Sequence, residues 1–338
     1  MRDPRYDILF EPVKIGPVTA RNRFYQVPHC NGMGYVRPNS LAAMREIKAE
    51  GGWSVVCTEE VWIHHSSEIV PHAEGILWDD GDIPALGKMA EAVHKHGSLA
   101  GIELQHGGYC SSNNYSRIPP IAPSSIVSSS YNPVQARAMD KTDIANFRKW
   151  HKKAALRSKQ AGFDLIYVYA AHSGTLLTHF LSRRINKRTD EYGGSLENRM
   201  RFPLQVFDAV ASVWPKYKAL GVRFSATDWV ERSSWDLKES TQFSFELKKR
   251  GCNFIDVSSG GNSPDQKIDV GPGYQTGFAA EIRRETGLPT MAVGQITEPK
   301  QAEAVLRSGQ ADMVSLARGM LHNPRWAWHA AEALGISA

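Results

Sequence analysis

Ala161-Gly-Phe-Asp-Leu-Ile-Tyr-Val-Tyr-Ala-Ala-His172 is the stretch that decides how this chain folds. Ala161-Gly162 closes a helix, residues 165–169 make a short apolar strand, and the strand stops at Ala170-Ala171-His172. A long polar passage follows, from His179 to Arg199, dense in Arg, Asn and Asp. A buried strand that ends in Tyr and His and opens into a charged loop is how alternating βα units present a reaction site. A merely structural strand with a capped end would leave that concentration of polar groups unexplained.

The same rhythm extends outward on both sides. Upstream, residues 9–15 predict a short hairpin closed by Gly16-Pro17, and residues 22–28 a strand ending at His29-Cys30. A helix over 41–50 leads to the strand 53–58, which ends in Glu59-Glu60. A helix over 84–96, with Pro84 at its start and Gly97 past its end, feeds the strand 99–104. Residues 106–139, rich in Ser, Asn and Pro, form a long excursion before the helix 142–160 resumes the pattern. Downstream come helix 196–214 and strand 219–224, helix 240–250 and strand 253–257, helix 277–286 and strand 289–293. Helix 299–308, strand 312–316 and a last helix over 323–334 complete the chain. Alternation of this kind gives a parallel sheet. Eight units over 338 residues favour a closed (β/α)8 TIM barrel, one domain over 1–338, with an N-terminal β-hairpin and a long excursion after strand 3. A doubly wound sheet is the alternative, weakened because no GxGxxG follows the first strand.

Composition fits a large soluble enzyme: 42% hydrophobic and 22% charged residues bury an ample core. A net charge of +5, scattered among acids, argues against a nucleic-acid partner. No apolar run nears the roughly 20 residues that span a bilayer, and the polar N-terminus is no signal peptide. The four cysteines, Cys30, Cys57, Cys110 and Cys252, form no CxxC pair, so neither a metal site nor a disulfide framework is expected. A cytoplasmic location is the expectation.

In such a barrel the reactive groups gather at the C-terminal ends of the strands. Those ends here bring up Pro28, His29 and Cys30, then Glu60, then Glu103, then Tyr169 and His172, then Arg223. Gly294 after the seventh strand and Ala317-Arg318-Gly319 after the eighth combine exposed backbone N–H groups with a guanidinium, the usual phosphate position. A phosphorylated cofactor without a nucleotide fingerprint suggests flavin mononucleotide (FMN). Arg223 would then stabilise negative charge on the reduced flavin.

The chain resembles the old yellow enzyme family of FMN-dependent oxidoreductases over nearly its whole length. Leu9-Phe-Glu-Pro12, Arg21-Asn-Arg23, Ala161-Gly-Phe-Asp164, Ala170-Ala-His172, Phe180-Leu-Ser182, the run from Asn186 to Ser195, Glu197-Asn-Arg199 and Leu316-Ala-Arg-Gly319 carry the resemblance. The first half, up to about Arg201, is similar to the dimethylamine and trimethylamine dehydrogenase branch, through Asn22 to Cys30 and Lys48 to Trp53. The second half is similar to small ene reductases, through Arg223 to Asp228, Ile255 to Gly260 and Pro272 to Gln275, as in a mosaic or chimera.

This resemblance implies hydride transfer between a small molecule and flavin N5. It places Cys30 beside the flavin, either bonded to it as in the amine dehydrogenases or as a free thiol. It implies a Tyr169-His172 pair with Asp269 as third member. Glu60 and Trp62 would contact a cationic amine, and His172 would polarise a substrate carbonyl. Ene reductases carry a proton-donating Tyr after the matching His, whereas this chain has Ser173-Gly-Thr-Leu176. No cysteine follows Cys252, so no iron–sulfur cluster is expected and NAD(P)H is the expected electron donor. The expected activity is therefore NAD(P)H-dependent and ene reductase-like. The alternatives are oxidation of a small secondary or tertiary amine, or an FMN-binding barrel with little turnover. A homo-oligomer is compatible with either activity.

Overall fold

Eight parallel strands close on themselves in the computed structural model, which describes residues 3–70, 74–127, 134–231 and 234–336. They are β1 (Phe24–Gln26), β2 (Val55–Trp62), β3 (Leu99–Gln105), β4 (Leu165–Ala170), β5 (Ala219–Ser225), β6 (Phe254–Ser258), β7 (Thr290–Ala292) and β8 (Met313–Leu316). Each pairs with its sequence neighbours, and β1 pairs with both β2 (Tyr25↔Val55) and β8 (Val314↔Phe24). That closure excludes the open doubly wound alternative. Among the described residues, the longer helices are α1 (Pro38–Glu50), α2 (Ile83–His94), α3 (Lys141–Gln160), α4 (Leu196–Ala211), α5 (Leu237–Lys249), α6 (Thr276–Thr286), α7 (Pro299–Arg307) and α8 (Trp326–Ala333), with short helices at Leu176–Leu181 and Arg318–His322.

β4 shows why the apolar run is unbroken. All six of its residues are buried, because both faces of the strand are covered. Ile166 and Val168 face outward into the helix-lined core, whereas Leu165 and Tyr167 face inward. The helices start where the sequence provides caps. Asp140 and Asp143 form a capping box on α3, and the Ser195 side chain accepts from the Asn198 N–H at the start of α4.

The hairpin lies slightly later than expected. Its strands are Val13–Ile15 and Val18–Ala20, and Leu9 instead ends a short 3-10 helix, Pro4–Leu9. Asp3 caps that turn by accepting from the Arg5 N–H, with Pro4 at its first position, so the chain coils before it extends. The hairpin plugs the bottom of the barrel: Val13, Ile15 and Ala20 share a buried cluster with Phe254, Met291 and Met313. The excursion carries short strands at Ile121–Ala122, Ile126–Val127 and Gln135–Ala138. Among the described residues no helix is long and apolar enough to cross a membrane, and no cluster of His, Cys, Asp or Glu is placed to hold a metal ion.

Candidate active site

The barrel interior changes from apolar to polar as it rises. Above the plugged base, the hydroxyls of Tyr25 and Tyr167 lie 2.9 Å apart, and Tyr167 Oη lies 3.1 Å from Cys57 Sγ. The next layer holds Glu103, Arg223 and Asp256 from β3, β5 and β6. Arg223 Nη1 donates to Glu103 Oε2 at 3.2 Å, and Arg223 Nε lies 3.4 Å from Asp256 Oδ2. One guanidinium thus sits between two fully buried carboxyls. Burial pushes Glu103 up to about 8, the Arg223 charge notwithstanding, and burial likewise raises Asp256. Burial also works against the Arg223 charge, but the two carboxylates more than offset it. The ring of Tyr169 stacks against the guanidinium at 5.6 Å.

Tyr169 and His172 lie together. Tyr169 Oη lies 2.6 Å from His172 Nδ1, and His172 Nε2 lies 2.8 Å from Ser258 Oγ. Burial, then the Arg223 charge, holds His172 down to about 3, so the ring is neutral. Burial and the carboxylates of Glu60 and Glu103 hold the Tyr169 phenol well above its ordinary value. Asp269 does not join them. It is exposed, and both ring nitrogens of His172 already have partners, with Ser258 on the side where a third member would stand. The loop from Asn186 to Arg199 is bracing: buried Arg199 bonds Glu239 at 2.7 and 3.1 Å, and Arg188 donates to Asp190 and to the Met139 carbonyl.

On the β1 side, His29 faces α1. Its Nε2 meets Arg45 Nη1 at 2.7 Å and its Nδ1 meets Gln26 Nε2 at 3.1 Å. Burial, with Arg45 and Lys48, drives it down to about 2, so His29 is a neutral strut beneath the buried Pro28. Cys30 is exposed at the rim, while Cys57, Cys110 and Cys252 are buried. Desolvation, and then the carboxylates of Glu60 and Glu74, raise its thiol well above the ordinary range. Trp62 is buried, and its indole N–H has no hydrogen-bond partner. Glu60, half-buried, lies beside Tyr169.

A cavity of about 420 Å³ opens beside this layer, lined by Arg223, Ser315, the backbone of Gly294 to Ile296, and Ala317 to Gly319. Gly294 has φ 139°, and a Cβ there would lie 3.1 Å from the Gln275 nitrogen, so glycine keeps the floor open. Arg318 is exposed at its edge, and the buried Ser315 hydroxyl has no partner. Backbone donors, a free cation and an orphaned hydroxyl suit a phosphate, while Arg223, whose Nε makes no hydrogen bond, suits an electron-rich ring edge. The donor set therefore fits FMN. Asp256 is the residue that sequence reasoning missed. Its signal was a charge at an inward position, two residues from Phe254 on an otherwise apolar strand.

A closed barrel whose cavity donors suit FMN agrees with the class that the relatives show, an FMN-dependent oxidoreductase. The chain belongs to the NADH:flavin oxidoreductase / NADH oxidase family, whose model matches residues 8–335. It is 39% identical over 335 residues to an NADPH dehydrogenase of Geobacillus thermodenitrificans, covering 97% of this chain and 95% of that protein. It is 34% identical over 339 residues to the dimethylamine dehydrogenase of a Hyphomicrobium species, covering 96% of this chain and 45% of that protein. Histamine dehydrogenase from Rhizobium sp. 4-9 superposes with a TM-score of 0.90 at 42% identity, over 98% of this chain and 48% of that one. The chain thus spans about half the length of these two amine dehydrogenases. Both likenesses run over nearly the whole chain rather than over half of it each.

Proposed function

We propose that the protein uses NAD(P)H to reduce an activated alkene through bound FMN. The observation that carries this reading is Arg223: a buried, permanently charged guanidinium that lines the cavity and is held between Glu103 and Asp256. When bound, FMN accepts a hydride at N5 from one small molecule and supplies it to another. Arg318, the Ala317 and Gly294 backbones and Ser315 would hold the phosphate, and Arg223 would offset negative charge at the ring edge. Tyr169 and Trp62 present an O–H and an N–H where a substrate carbonyl would rest. His172 orients Tyr169 rather than reaching the substrate, since both its nitrogens are engaged. The 39% identity to an NADPH dehydrogenase supports this reading.

A second reading, oxidation of a small amine, is favoured by Glu60 and Trp62 at the mouth, which suit a cationic nitrogen. An anaerobic absorbance titration separates the two. NAD(P)H bleaches the flavin and 2-cyclohexenone restores it under the first reading, whereas dimethylamine alone bleaches it under the second. A barrel with little turnover responds to neither. A thiol raised as Cys30 is makes a poor nucleophile, so we infer a free thiol beside the flavin. Acid precipitation then leaves the yellow colour in the supernatant; colour retained in the pellet would show a bond to Cys30.

A further inference from the structure

β2 carries one residue too many at the barrel mouth. Its register with β3 runs to Cys57↔Gly101 and resumes at Glu60↔Glu103, so Thr58 and Glu59 together face Ile102. Without that bulge, alternation from the inward Cys57 would send Glu59 in and Glu60 out. The bulge reverses the order. Glu59 accepts the backbone N–H groups of Asn31, Met33 and Gly34 at 2.9, 3.1 and 2.9 Å. Glu60 turns into the barrel beside Tyr169 and Arg223. Bulges at barrel rims re-aim side chains in this way next to active sites.

Glu60 thereby stands beside Tyr169, whose hydroxyl is hydrogen-bonded through His172 to Ser258. The other groups are poor acids: Tyr169 and Cys30 are held well above their ordinary values, chiefly by desolvation, and His172 is neutral. Ser173 to Leu176 supplies no tyrosine. Burial lifts the Glu60 carboxyl to about 7, against the pull of Arg223 and Tyr169, in the range where a general acid works near neutral pH.

We propose that Glu60 is the catalytic acid of alkene reduction, giving its proton to the α-carbon of the substrate. The proposal rests on the alkene-reducing reading above. Once the β-carbon has received its hydride, the substrate is an enolate. The enolate electron pair forms the new Cα–H bond, the Glu60 O–H bond breaks with its electrons left on the carboxylate, and solvent returns the proton.

The test uses the FMN-loaded protein, reduced anaerobically with NADPH, and the Glu60→Gln variant. Reoxidation by 2-cyclohexenone should slow about a hundredfold or more. Reoxidation by ferricyanide, which needs no proton on carbon, should change only a few-fold. In the unchanged protein the cyclohexenone rate should fall as pH rises through about 7. Glu60→Asp, which keeps a carboxyl, should retain that limb, and Glu60→Gln should lose it. Near-normal cyclohexenone reduction by Glu60→Gln overturns the proposal. If NADPH never reduces the flavin of the unchanged protein, the alkene reading itself fails. Infrared titration of the FMN-free protein then still decides about Glu60: a protonated carboxyl band lost near pH 7 and absent in Glu60→Gln supports a proton-holding role, and its absence at pH 6 overturns it.

Discussion

Replacing Arg223 by Met removes the one cation from a layer that buries two carboxyls. Arg223 touches Glu103 at 3.2 Å and Asp256 at 3.4 Å, and all three side chains are withdrawn from water. Breaking a buried pair by removing one partner costs about 3–5 kcal/mol, because the remaining charge is uncompensated. The cost must depend on pH, with a definite sign. A carboxyl whose folded pKa is raised contributes stability only while protonated, and that contribution is lost as pH rises through the folded value. Glu103 already titrates at about 8 with the cation in place. Without it, Glu103 and Asp256 both move higher, and each further proton held by the fold steepens the loss by about 1.4 kcal/mol per pH unit. Urea unfolding of the FMN-free protein at pH 7, 8 and 9 measures this. The Arg223→Met penalty should grow across that window, and Arg223→Met with Glu103→Gln should recover part of it as a coupling energy. A penalty below 1 kcal/mol that is flat with pH, or the absence of coupling, would refute the layer as a charge-balanced unit.

Arg318→Ala should weaken FMN binding roughly ten- to hundredfold, the value of one charge-assisted contact to phosphate, read by quenching of flavin fluorescence. Arg199→Met should destabilise the protein by about 1–3 kcal/mol, since it leaves the buried Glu239 Oε2 without its donor while Arg183 still pairs with Oε1, and the flavin spectrum of the folded variant should stay the same. His151 is buried and held down to about 3 by its burial. The fold therefore loses stability as pH falls below about 6.5, where the unfolded chain takes up that proton. His151→Leu should flatten the acid side of a melting-temperature profile by about one proton's worth of slope.

The barrel was legible because burial on both faces writes itself as an unbroken apolar run, and a helix end as a glycine. The polar residues at the strand ends were legible for the same reason: they stand where those runs stop. What the sequence hid was direction. Glu60 and Glu59 are adjacent carboxylates, and which of them enters the barrel is settled only by the pairing of β2 with β3. His29 stands in line with Cys30, yet its ring is claimed by Arg45 from a helix that packs across it. Asp269 carries the right chemistry at a plausible distance along the chain, but Ser258 on β6 reaches the imidazole first. Each of these depends on a partner remote in sequence, and no local pattern encodes it.

His172 draws these strands of the argument together. It has φ 58°, a conformation costing a non-glycine residue about 1–3 kcal/mol unless the surroundings enforce it. Three contacts enforce it here. Its N–H donates to Ser225 Oγ at 2.9 Å, its ring is fixed between Tyr169 and Ser258, and Gly261 comes so close that a Cβ there would lie 2.9 Å from the His172 Cβ. Two adjacent strand ends, β5 and β6, thus hold a strained turn at the end of β4. The strain fixes the imidazole plane, and the imidazole fixes the Tyr169 hydroxyl beside Glu60. A turn relaxed to ordinary backbone geometry would let the ring swing free of Ser258, so the left-handed residue is part of the site and not an accident of the loop.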